Sequence, residues 1–203
     1  MVNIKIKYGL PKANEDNEKL LLDAGWKKLK EPKSFSGQIA LSIPFMVINF
    51  IISQFIVGIF ASNKTFSFSF SSFIDLFVGI SIFLLIQIIL MFSHELLHLV
   101  FVPNFTKSDK THVGYTWFCA YVYSEEVLSK GRACLIYIAP FILLSIIFNF
   151  LLGLLGLYSI PTLIFLMLNS IGSGLDMLGV TLILLQVPKG GKVANNGIYT
   201  YYK

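Results

Sequence analysis

Four long apolar runs, separated by shorter polar stretches, organise the chain; they cover residues 37–61, 73–102, 133–158 and 161–187. A helix needs about 20 apolar residues to cross the hydrocarbon core of a bilayer, and each run meets that length. The pattern predicts an all-α integral membrane protein with about four transmembrane helices. Pro44 falls inside the first run and is expected to bend it early, whereas Pro161 stands where a helix start tolerates proline. The expected organisation is a cytoplasmic or interfacial segment at 1–36, a four-helix transmembrane domain at 37–187 and a cytoplasmic tail at 188–203.

The polar stretches carry weaker signals. Residues 14–30 read as a short amphipathic helix ending in a Trp26 and lysine cluster, either lying on an anionic membrane face or projecting into water. Residues 62–72, rich in Ser and Phe, predict a shallow outward-facing turn. The longest connection, 103–132, contains a stretch with strand character in which Tyr115, Trp117, Tyr121 and Tyr123 share one face. Two readings of this hairpin-like loop stay open: an aromatic belt at the membrane interface, or a hairpin whose edge pairs with an extended substrate.

Composition agrees with the membrane reading. Of 203 residues 55% are hydrophobic and 13% charged, and the mean hydropathy is +0.73. A net charge of +5 would suit nucleic acid, but its distribution argues against that partner. Eight lysines precede the first run, four basic residues lie between the second and third, and three follow the fourth; Lys64 alone lies on the other side. Fifteen against one places both termini in the cytoplasm. Two cysteines, Cys119 and Cys134, are too few for a disulfide framework and should stay reduced there. No cleavable signal peptide is expected, because the first apolar run follows a lysine-rich stretch and no small-residue cleavage site follows it.

The chemistry concentrates at His94-Glu95-Leu96-Leu97-His98, near the end of the second run. Histidines at i and i+4 share one helix face and can bind one Zn²⁺, and the Glu between them can take a proton from water held by that ion. A shuffled chain of this composition would give the pattern about once in a thousand. Ionisable groups in a membrane span are costly and usually functional. The acidic residues within the four runs are Glu95 and Asp176, with Asp75 at an outer edge.

Catalytic zinc generally takes three protein ligands, so two histidines leave one to find. At 1.5 Å per residue from the cytoplasmic ends, His98 lies about 6 Å deep, His94 about 12 Å and Asp176 about 16 Å. Asp176 is the expected third ligand, with His112 in the following loop and Cys119 as rivals. Gly172 and Gly174 would help the fourth helix approach the second or loosen locally. Asn169, two turns before Asp176 on the same face, is a candidate to bind a substrate carbonyl or oxyanion, or else a helix–helix contact.

This pattern, two histidines and a Glu in one membrane helix and Leu175-Asp176 in a later one, resembles the site-2 protease type of intramembrane zinc metalloprotease. The four-helix layout from about Trp26 onward resembles more closely a bacterial family of membrane proteins described as zincin-type peptidases. The resemblance implies His94, His98 and Asp176 as zinc ligands, one Zn²⁺ per chain, and Glu95 as general base. Site-2 proteases have a proline three residues after their Asn and a glycine after their Leu-Asp; here those positions are Gly172 and Met177. The expected function is a zinc-dependent peptidase acting on transmembrane or membrane-associated peptides, with its site toward the cytoplasm. The alternative is a non-proteolytic membrane protein of accessory or immunity type that keeps a structural metal.

Overall fold

A computed structural model describes residues 5–32, 34–61, 65–67, 71–116 and 120–203. The chain begins with strand β1 (Lys5–Tyr8), helix α1 (Glu15–Asp23) and the short strand β2 (Lys27–Lys28). Asn14 caps α1 by accepting the N–H groups of Asp16 and Asn17. The helix expected over 14–30 stops at Asp23 for a local reason. Gly25 takes a positive φ of 80°, while Gly25 N–H bonds Leu22 O and Trp26 N–H bonds Leu21 O. This Schellman closure turns the lysine cluster into a strand rather than a last helical turn.

The long helices follow: α2 (Phe35–Ala61) and α3 (Phe73–Phe101). After α3 come β3 (Thr111–Tyr115), β4 (Ala120–Ser124) and β5 (Leu128–Ser129). The third span is one rod in three parts: α4 (Lys130–Pro140), a π-helical stretch at Phe141–Phe148, and α5 (Asn149–Leu154). The fourth is α6 (Ile160–Gly172) and α7 (Gly174–Gln186), interrupted at Ser173. Ser159 caps α6 and Pro161 sits in its first turn. The strands β6 (Lys192–Asn196) and β7 (Tyr199–Tyr202) end the chain.

Four helical rods of 25–29 residues are long and apolar enough to cross a membrane. Only 11% of the most apolar stretch of α3 is buried inside the protein, so most of its apolar surface is left for lipid. Lipid supplies no hydrophobic drive between helices, so close backbones and polar pairs hold such bundles. Both occur. A Cβ on Gly174 would stand 2.4 Å from Met46 Cγ and 3.0 Å from Met46 N, so glycine there lets α7 close on α2. In the buried centre, Asn149 Nδ2 donates to Ser53 O at 2.9 Å and Tyr158 OH donates to Asn149 Oδ1 at 2.7 Å.

The chain is mostly helical, as its apolar runs predict, and the strands gather at one end of the bundle. In one sheet β1 runs parallel to β3, and β3 pairs antiparallel with β4 (Val113↔Val122). The second has the order β2-β7-β6-β5. The last 16 residues therefore contain a hairpin paired to both β2 and β5. Polar side chains tie these parts together. Asn196, which is buried, accepts from Asn14 N–H at 3.0 Å and donates to Asn14 O at 2.9 Å. Gln186 at the end of α7 bonds both backbone groups of Lys30. Lys130 Nζ donates to the free carbonyls of Leu184 and Val187 at the C-terminus of α7. The turn expected at 62–72 lies partly outside the described residues, as do Trp117 and Cys119.

Candidate metal centre

The end of α3 that carries the histidines points toward the end of the bundle where the two sheets form a cap. His98 lies three residues before Phe101, so it is about one helical turn inside the bundle. The interruption at Ser173 places Asp176 in the first turn of α7, opposite α3. His94, His98 and Asp176 each offer one ligand atom, all within 4.8 Å of one another. Among the described residues this is the only such group of three or more His, Cys, Asp or Glu side chains.

The separations are informative. His94 Nε2 lies 3.1 Å from Asp176 Oδ2, His98 Nε2 3.4 Å from Asp176 Oδ1, and the two Nε2 atoms 3.2 Å from each other. Atoms about 2.0–2.1 Å from a tetrahedral zinc stand about 3.3–3.4 Å apart, so the triangle fits that ion.

The far sides of the rings fix their tautomers. His98 Nδ1 lies 2.8 Å from Ile136 O, which can only accept. His94 Nδ1 lies 2.9 Å from Asn169 Oδ1. The Asn169 amide is itself oriented, because its Nδ2 donates to Ser145 Oγ at 2.8 Å and to Pro140 O at 3.2 Å. Both Nδ1 atoms therefore carry a proton, which leaves the two Nε2 atoms as the ones able to bind a metal, as in metal-binding histidines. With both Nε2 atoms unprotonated, their lone pairs and the carboxylate at this spacing would repel one another unless a positive charge lay among them.

Glu95 points elsewhere. It lines a cavity of about 220 Å³ together with His98, Asp176, Ile136 and Tyr137. Val122 of β4 lines the same cavity wall. A second cavity, of about 310 Å³, shares Asp176, Tyr137 and Val122 and extends toward Pro11, Glu31 and Gly197. The metal triangle thus has open space on the side where Glu95 stands. Above it, Asn195 Nδ2 donates to Ser124 O at 3.2 Å, linking the two sheets across the cavity wall.

The other sequence candidates fall as follows. Asn169 is 1% exposed, and both ends of its amide are engaged with His94, Ser145 and Pro140. Its place is behind the His94 ring rather than facing the cavity. His112 is buried in β3 with its ring stacked on Tyr123, outside the triangle. Cys119 is outside the described residues. Reasoning from sequence misses Pro140, Ser145 and Val122, although a proline and a serine inside an apolar run are visible signals.

Residues 87–191, just over half of the chain, match the family described as "Putative zincin peptidase". No curated protein and no solved structure matches the chain.

Proposed function

The chain belongs to this "Putative zincin peptidase" family, and from that premise we propose that it is a zinc-dependent peptidase that cuts transmembrane or membrane-associated peptides at the membrane boundary. The observation that carries the reading is the triangle of His94 Nε2, His98 Nε2 and Asp176 at 3.1–3.4 Å, with Glu95 on the adjoining cavity wall. His94, His98 and Asp176 would hold the ion, leaving the fourth position open toward the cavity. Structural zinc sites are usually closed by a fourth protein ligand, whereas catalytic sites are not.

When bound, zinc polarises the scissile carbonyl and lowers the pKa of a coordinated water to about 7. The rest belongs to the protein. Glu95 takes the proton from the attacking water and passes it to the leaving nitrogen as the peptide bond breaks. Asn169 and the Ile136 carbonyl hold the two imidazoles in one tautomer throughout. Strand β4 is an edge of its sheet and borders the cavity through Tyr121, Val122 and Ser124, so a locally unwound peptide would enter along it in extended form. The excess of basic residues on the cap side orients the cap and both termini toward the cytoplasm.

The test is purified protein, wild type and Glu95→Gln, assayed for zinc and for cleavage of a membrane-peptide library by mass spectrometry. One zinc per chain in both proteins, with new peptide termini from the wild type only, is the expected result. A wild type without zinc, or equal cleavage by both, would sink the proposal.

A further inference from the structure

A proline inside a helix leaves one carbonyl unpartnered, that of the residue four positions earlier. In α4 the proline is Pro140, so the carbonyl is that of Ile136. The next N–H along the chain does not take it up, since Phe141 N–H bonds Ile138 O. The Ile136 carbonyl instead accepts His98 Nδ1–H at 2.8 Å. The carbonyl of Pro140 itself accepts Asn169 Nδ2 at 3.2 Å, and Asn169 Oδ1 holds His94 Nδ1 at 2.9 Å. One residue of the third span thus stands behind both histidines of the second.

We infer that Pro140 is a positioning residue of the metal centre: its missing N–H reserves the Ile136 carbonyl for His98, and its own carbonyl orients the amide that holds His94. The inference rests on the zinc reading and adds to it the origin of the two tautomers. A residue with an N–H at 140 would compete for the Ile136 carbonyl within the helix. His98 would lose its acceptor, and its ring would be free to turn or to carry its proton on Nε2, where zinc must bind. Loss of an outer partner of a zinc histidine typically weakens metal binding by about 10–100-fold. The π-helical stretch that follows Pro140 also brings Ser145 to the Asn169 amide, so the break and the second contact come from one local irregularity.

The experiment is zinc affinity by chelator competition on purified full-length protein, with no substrate involved. Pro140→Ala should weaken zinc binding by about 10–100-fold. Pro161→Ala, at the start of α6 and away from the triangle, should leave the affinity unchanged. Lactic acid at position 140, which lacks the N–H as proline does but has no ring, should restore most of the affinity. An affinity unchanged in Pro140→Ala, or not restored by the ester, overturns the inference while the zinc reading stands. A wild type that binds no zinc overturns both. Should Pro140→Ala fail to fold, ¹⁵N spectra of the zinc-loaded wild type decide: a proton on Nδ1 of both His94 and His98 is expected, and a proton on Nε2 of either is fatal.

Discussion

Asn169 Oδ1 lies 2.9 Å from His94 Nδ1, on the side of the ring away from Asp176. The contact explains why an amide is kept fully buried in a membrane helix. Its donor end is spent on Pro140 O and Ser145 Oγ, so its acceptor end can only meet a protonated ring nitrogen. Asn169→Ala should therefore act through the metal. Zinc affinity is expected to fall by about 10–100-fold, measured by chelator competition. A residue that touched only substrate would change cleavage kinetics and leave zinc affinity alone, so the affinity measurement separates the two roles.

The third ligand can be tested against its rival. Asp176→Asn replaces a carboxylate with a neutral amide at 3.1–3.4 Å from both Nε2 atoms and should abolish stoichiometric zinc. His112→Ala removes a buried ring stacked on Tyr123 at 6.3 Å. It should lower thermal stability but retain one zinc per chain. Metal analysis of the two purified variants checks both outcomes, and loss of zinc from His112→Ala would exchange the roles.

How far the sequence reached depended on how far apart the partners lie. The four spans were legible because length and apolarity are local. The histidine pair and Glu95 were legible because one helix sets their spacing. Asp176 could be matched to them by depth alone, since depth is counted from each helix end. The contact between Asn169 and His94 could not be found that way, because it depends on how α6 is rotated about its axis against α3. Pro140 was visible, but its effect passes through the Ile136 carbonyl to a residue 38 positions earlier. The strands outside the 103–132 loop were hidden for a similar reason. Lys27 and Lys28 pair with Tyr202 and Tyr201, and two-residue strands carry no periodicity of their own.

The approach of α7 to α2 yields a paired prediction. Gly174→Val would force side-chain atoms against the Met46 backbone, only 3.0 Å from a Cβ at that position. Overpacking of this kind costs roughly 1–3 kcal/mol, and Asp176 lies two residues further along. Lower thermal stability and weaker zinc binding should appear together. At Gly172, the end of α6, an added Cβ would meet nothing within 4 Å. Gly172→Ala should be neutral or stabilising by up to about 1 kcal/mol, because alanine favours helix over glycine. Thermal unfolding of both variants in detergent tests the contrast.

The cap should respond to pH through Glu31. Burial raises its carboxyl above the ordinary value of 4.5, outweighing the Thr200 N–H bond and the Lys28 charge, both of which favour the ionised form. Because the folded value is the higher one, the folded state holds this proton more tightly than the unfolded chain. The contribution to stability is present in full below about pH 4.5 and is lost as pH rises through the raised value. Glu31→Gln keeps an oxygen to accept Thr200 N–H, a bond of 2.9 Å in the wild type, but carries no charge to desolvate. Hydrogen exchange at the Thr200 amide, followed from pH 4 to 8 and corrected for intrinsic rates, should show protection declining with pH in the wild type. In Glu31→Gln this decline should disappear, and protection near pH 7 should equal or exceed that of the wild type. An identical pH profile in the two proteins would show that the Glu31 carboxyl does not govern the protection of the Thr200 amide in the terminal hairpin.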